Sequence, residues 1–143
     1  MVIADTSFLF SLFGHDSHSP AAHAWARQAR SPIGLTAFAR YELNNALRFA
    51  AFRGAITKAD SHASLAAIKA DLSSGHLHAA GCDFTAVFTE AARLSEAHTL
   101  TGGHRAFDIL HVAAARHLKA RLFLTFDANQ RRLAQAARLT VGP

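Results

Sequence analysis

Val2-Ile3-Ala4-Asp5-Thr6-Ser7-Phe8-Leu9-Phe10 opens the chain with a short apolar run that ends on a carboxylate. Two hydroxyl residues follow, then a second apolar segment. The run predicts a short buried strand over residues 2–5. An acid at the carboxyl end of such a strand stands where open α/β sheets collect their ligands. Asp5 therefore sets the question for the rest of the sequence, which is whether other carboxylates come back to the same edge.

Working outward, residues 8–13 predict a brief helix ended by Gly14. Ser19-Pro20 starts a helix to about residue 30, because proline at the first helical position gives up no hydrogen bond, and Pro32 breaks it. Residues 33–36 read as a second strand. Thr36 caps a helix to about residue 53, with Leu43, Ala46/Leu47 and Ala50/Ala51 recurring at helical spacing. Thr57 caps another over about 58–72, and Ser73-Ser74-Gly75 reads as a turn. A poor third strand falls in 76–81. Asp83 caps a helix through about residue 98, and 99–103 reads as a loop with two glycines. A strongly helical stretch covers 107–119. Residues 122–125 form the second clear strand, 129–137 a helix, and 139–141 a short last strand. Strands alternating with helices predict a parallel sheet with helices on both faces.

Composition bounds the answer further. A chain of 143 residues, half of them hydrophobic, can close one core, so a single domain over 1–143 is expected. The lone Cys82 excludes an intrachain disulfide and fits a reducing compartment. Asp5 interrupts the first apolar run, which also lacks a basic leader, so no export signal is expected. No run reaches the ~18 apolar residues of a membrane span. The expectation is a soluble, cytoplasmic protein. Fifteen Lys and Arg against ten Asp and Glu give a net charge of +5, and the pI is near 10.4. A basic surface suits a polyanion such as nucleic acid.

The acids are few and unevenly placed. Asp5 follows the first strand and Asp127 follows the strand at 122–125. In a parallel sheet both lie at the same carboxyl edge. Glu42 lies in the first turns of the helix after the second strand, and Asp108 lies at the start of a helix that enters from a glycine loop. Both helices begin near that edge. Singly, each acid has a plain explanation as a cap, a turn former or a partner of the helix dipole. Together, four acids at one rim repel one another. A divalent cation removes that cost, and all-oxygen ligation points to Mg²⁺ or Mn²⁺ rather than Zn²⁺. If these four serve the site, the remaining surface carries fifteen bases against six acids.

With these residues in hand, the sequence resembles a PIN-domain ribonuclease, and within that group a VapC-type toxin of a bacterial type II toxin–antitoxin pair. The resemblance covers nearly the whole length. It rests on Ile3-Ala4-Asp5-Thr6-Ser7, on Tyr41-Glu42-Leu43-Asn44-Asn45-Ala46-Leu47, on Phe107-Asp108-Ile109-Leu110-His111-Val112-Ala113-Ala114-Ala115, and on Leu124-Thr125-Phe126-Asp127. Each motif is short, but their order and spacing are specific. The resemblance implies about five parallel strands, an acidic pocket holding Mg²⁺ or Mn²⁺, and cleavage of single-stranded or loop RNA. It implies Asp5, Glu42, Asp108 and Asp127 as the metal-site and catalytic acids. Thr6 or Ser7 would hydrogen-bond within the pocket and Thr125 would support Asp127. Some members carry a further acid just after the last one, where this sequence has Asn129. It also implies a small antitoxin whose tail fills the pocket, and a homodimer or a toxin–antitoxin hetero-oligomer.

Around the acids, Arg105 and His104 are candidates to meet phosphates at the pocket mouth. His111 lies three residues after Asp108 on one helix face. Asn45 is one turn from Glu42. The faces of helix 19–30 around Trp25 and of helix 58–72 can serve a partner or simply the core. Phe8, Phe10, Phe13, Phe38, Phe49 and Phe52 read as core more than as base-stacking platforms. Other phosphate chemistry fits less well. A haloacid-dehalogenase-like enzyme carries a second acid two residues after the first, where this chain has Ser7. A receiver domain needs an acid pair near strand one and a lysine after the last strand, and neither is visible. The alternative from another class is a catalytically silent PIN-like module that binds RNA or a protein.

Overall fold

A computed structural model describes all 143 residues. Five strands, β1 (Val2–Ala4), β2 (Ile33–Leu35), β3 (Leu77–Ala79), β4 (Leu122–Leu124) and β5 (Val141–Gly142), form one parallel sheet in the order β3-β2-β1-β4-β5. Seven helices connect and flank them: α1 (Thr6–Phe13), α2 (Ser19–Gln28), α3 (Ala37–Phe52), α4 (Lys58–Ser74), α5 (Phe84–Gly102), α6 (Ala106–His117) and α7 (Ala128–Ala136). The five-stranded α/β architecture expected from the sequence is the one observed. No helix is long and apolar enough to cross a membrane.

β1 lies in the middle, with Val2 beside both Ile33 and Leu122. Its residues alternate between the two faces of the sheet. Ile3 and Phe123 enter one core, with Val87, Leu94, Val112 and Leu133 from α5, α6 and α7. Val2, Ala4 and Leu124 enter the other, with Phe8, Leu9, Leu43, Leu47 and Ile68 from α1, α3 and α4. Covered on both sides, β1 can be apolar at every position, which is why it reads as an unbroken run. Gly34 permits the close approach of β2, since a Cβ there would meet Ile3 Cδ1 at 2.6 Å.

Differences from the sequence reading fall mainly at element ends. α5 continues through 99–102, expected as loop, because its glycines sit at the very end. Gly102 is the last helical residue and Gly103 takes the left-handed C-terminal position at φ +64°. α4 likewise runs through Ser74 and stops at Gly75, φ +85°. β5 begins at Val141 rather than at residue 139. The N–H of Leu139 is spent on the Ala134 carbonyl, closing the end of α7 around Arg138 at φ +63°. β3 is an edge strand with Leu77 buried and His78 and Ala79 exposed, so it has only one apolar position to announce it. Phe49 and Phe52, expected in the core, are exposed by 53% and 84%. They stack on each other at 5.9 Å, and the Arg53 guanidinium lies over Phe49. Trp25 packs edge-on against Phe8 at 5.5 Å, the core-packing alternative for that helix face.

Candidate active site

The chain turns to β2 and β3 on one side of β1 and to β4 and β5 on the other. The switch therefore falls between β1 and β4, and their carboxyl ends open a crevice there. Asp5 and Thr125 stand at its floor. The Asp5 carboxylate is 1% exposed and accepts hydrogen bonds from the Phe8 N–H (2.9 Å), the Ser7 hydroxyl (2.7 and 2.9 Å) and the Thr125 hydroxyl (2.5 Å). Burial pushes its pKa up, against the pull of those bonds. Asp5 also caps α1, so the plain role and the candidate role belong to one residue. Asp127 does the same for α7, accepting from the Gln130 N–H at 2.8 Å. Its own N–H donates to the Thr125 hydroxyl at 3.0 Å, so one threonine joins the two strand-end acids.

Glu42 reaches this crevice from α3. Its Oε2 accepts from the Thr6 hydroxyl, next in sequence to Asp5, and from His111 Nε2 at 2.7 Å. A carboxylate can only accept, so that bond places the proton of His111 on Nε2. His111 is 3% exposed and packs against Phe38, ring centroids 5.4 Å apart. Burial alone would raise the Glu42 pKa; the bonds from His111 and Thr6 outweigh it and hold the carboxyl below its usual range.

Asp108, in the first turn of α6, is also buried. Its two oxygens accept from the Gln130 side-chain amide at 3.1 Å and from Arg105 Nε at 3.2 Å. Arg105 Nη2 in turn lies 4.0 Å from Asp127 Oδ2, and the guanidinium's charge also acts on Glu42. Asp5, Asp127 and Asp108 thus join one chain of contacts through Thr125, Gln130 and Arg105, and Glu42, held by His111 and Thr6, stands beside it through the residue next to Asp5.

No three His, Cys, Asp or Glu side chains are close enough to hold one ion among them. The donor set is still suited to a hard divalent cation. Every candidate ligand is a carboxylate oxygen, and a cationic guanidinium already stands between two of them. Mg²⁺ keeps several waters and takes one or two carboxylates directly, so the other acids can reach it through water.

Two expected residues lie apart from this chain of contacts. Asn45 is exposed and its side chain makes no hydrogen bond. Asn129 spans α7 and the α5–α6 loop, donating to the Gly103 carbonyl at 3.4 Å and accepting from Arg132 at 2.6 Å. Gln130 was not anticipated. Its signal is the spacing Gln130, Leu133, Ala134, Ala137, which puts the amide on the buried face of α7. The burial of His104 was not anticipated either. Its Nδ1 has no partner, and burial, with Arg132 and His98 nearby, pushes its pKa down. Lying between two glycines and a helix start, it has no periodic pattern to mark it.

The solved structures that share this fold include two that match nearly the whole chain. VapC20 of Mycobacterium tuberculosis, a toxin that cleaves the sarcin–ricin loop, superposes with a TM-score of 0.68 at 16% identity, covering 92% of this chain and 94% of its own. PAE2754 of Pyrobaculum aerophilum superposes with a TM-score of 0.62 at 18% identity, covering 98% and 81%. No curated protein matches the sequence. The family model of the PIN domain matches residues 2–136, from the first strand to the last turn of α7. Matched along that whole span, the chain belongs to the PIN-domain family.

Proposed function

We propose that this protein is a Mg²⁺- or Mn²⁺-dependent endoribonuclease and the toxin of a toxin–antitoxin pair. The observation that carries the reading is the linkage of Asp5, Asp127 and Asp108 at the topological switch point of a PIN-domain sheet, with Glu42 held beside them by Thr6 and His111. Holding four acids in one crevice for structure alone would be costly, because carboxylates disfavour one another's ionised forms. The +5 net charge of the chain fits a polyanionic substrate. VapC20, which has the same fold, cleaves an RNA loop.

In this reading Asp5, Glu42, Asp108 and Asp127 would hold the ion, one or two of them directly and the others through its waters. The bound ion would polarise the scissile phosphate and supply part of the charge stabilisation of hydrolysis. Asp108 or Asp127 orients the attacking water and takes its proton. The water displaces the 3′ oxygen in line; the P–O3′ bond breaks and the departing oxygen takes a proton from solvent, leaving a 5′-phosphate and a 3′-hydroxyl. Thr125 and Ser7 fix Asp5, while Thr6 and His111 fix Glu42, so neither carboxylate needs to reorganise during the reaction. Arg105, 78% exposed, faces the incoming phosphates. A small antitoxin that fills the crevice with a cationic side chain would silence the enzyme, in a homodimer or a toxin–antitoxin hetero-oligomer.

Purified protein incubated with a mixed RNA pool, with Mn²⁺ or Mg²⁺ and with EDTA, tests the reading beside Asp5→Asn prepared in the same way. Metal-dependent cutting that falls at least ~100-fold in the variant is expected. Folded wild-type protein, free of any partner, that binds RNA but cuts nothing with any metal would favour a silent binding module.

A further inference from the structure

Asp108 and Asp127 belong to different helices, yet one side chain spans them. Arg105 lies 3.2 Å from the first and 4.0 Å from the second. We propose that Arg105 is an exchangeable counter-ion, which holds these two acids together while no divalent cation is bound and yields its place when one binds. The inference rests on the metal-dependent reading above and assigns this residue a role in controlling metal affinity.

Three features of the site support it. The first is the unequal anchoring of the partners. The Arg105 side chain is 78% exposed, whereas Asp108 is 12% exposed and Asp127 33%. Arg105 is the residue before α6, makes no capping hydrogen bond with its side chain, and follows the buried His104. Its guanidinium can swing into solvent without disturbing a packed group.

The second is that the acids keep their positions without it. Gln130, 2% exposed, donates its side-chain amide to Asp108 and its backbone N–H to Asp127. One buried residue therefore fixes both carboxylates, and departure of the arginine leaves them preorganised for another cation.

The third is charge. One guanidinium faces two carboxylates directly, with Glu42 within range of its field. The contact with Asp127 is at the limit of an ion pair. A dication at the same place interacts with each carboxylate about twice as strongly as a monocation. It gains that energy only after displacing the arginine, so Arg105 lowers the apparent affinity for metal.

Mn²⁺ binding to the purified full chain, read from the electron paramagnetic resonance of the free ion at low ionic strength, tests this without any cleavage assay. Arg105→Gln is expected to bind Mn²⁺ roughly three- to tenfold more tightly than wild type, and Arg105→Lys to lie between. The rise in Tm on adding Mn²⁺ should be larger in Arg105→Gln as well. Should Arg105→Gln fail to fold, Arg105→Lys decides, by binding Mn²⁺ more tightly than wild type. Wild-type binding with equal or weaker binding by the variants would overturn the inference alone. Failure of wild type and variants to bind Mn²⁺ would overturn it together with the metal dependence of the proposed function.

Discussion

Two arginine–carboxylate clusters in this molecule use the same groups in inverse proportion. In one, Glu90 of α5 lies between two guanidiniums, Arg93 at 2.7 Å and Arg116 at 2.5 Å. In the other, Arg105 lies between two carboxylates, Asp108 and Asp127, with Glu42 within range of its field. The Glu90 cluster is closed. Arg116 also donates from Nη1 to the Ala137 carbonyl and so ties α5, α6 and the end of α7 together. The Arg105 cluster is open, with more negative than positive charge and an exposed arginine. A cluster whose carboxylate is saturated by protein cations stabilises a fold; one with surplus carboxylate keeps a capacity to bind a cation. The second cluster sits at the crevice of the sheet, while the first joins helices on one of its faces.

The largest effect that would separate the two is on cleavage. Asp108→Asn should lower RNA cleavage and Mn²⁺ affinity by about 100-fold or more, whereas Glu90→Gln should leave both near wild type. If Glu90→Gln lost activity to a similar degree, the distinction between a structural and a functional cluster would fail.

Stability should respond in the opposite way. Arg116→Gln leaves Glu90 with one partner and the Ala137 carbonyl without its donor, and should cost about 1–2 kcal/mol in urea melts. Metal-free Arg105→Gln should cost less, because its side chain is mostly in water.

The smallest effect sharpens the comparison through pH. Arg93 and Arg116 outweigh the burial of Glu90 and hold its carboxyl down to about 2. A depressed folded-state pKa favours the ionised form in the native protein, so the contribution is full above the ordinary carboxyl range. It is lost as pH falls from about 4.5 to about 2. Glu90→Gln should flatten the acid side of the stability profile across that window, and unchanged profiles would show that the Glu90 cluster contributes nothing there.

Much of the crevice was legible because strand order was not needed to read it. Asp5 and Asp127 each follow an apolar run, and a parallel sheet must deliver both to one edge. Glu42 and Asp108 follow from helices that start there. Gln130 was legible in principle from its spacing with Leu133 and Ala134. His111 lay on the face of Asp108, but that face alone could not distinguish core packing from contact with Glu42, a residue 69 positions away. Asn45 shows the converse. One turn of helix from Glu42, it points to solvent, because adjacency along a helix does not specify which neighbour faces the crevice.

The sequence by itself determined the alternation of strands and helices, the doubly covered β1 and the shared edge of the acids, since these depend on local apolar patterning and on the direction of parallel strands. Only the tertiary structure decided that Thr125 joins Asp5 to Asp127, that His111 holds Glu42, and that Arg105 stands between Asp108 and Asp127. Those are side-chain contacts between elements distant in sequence. Their geometry depends on how α3, α6 and α7 pack on the sheet, and no local pattern encodes that packing.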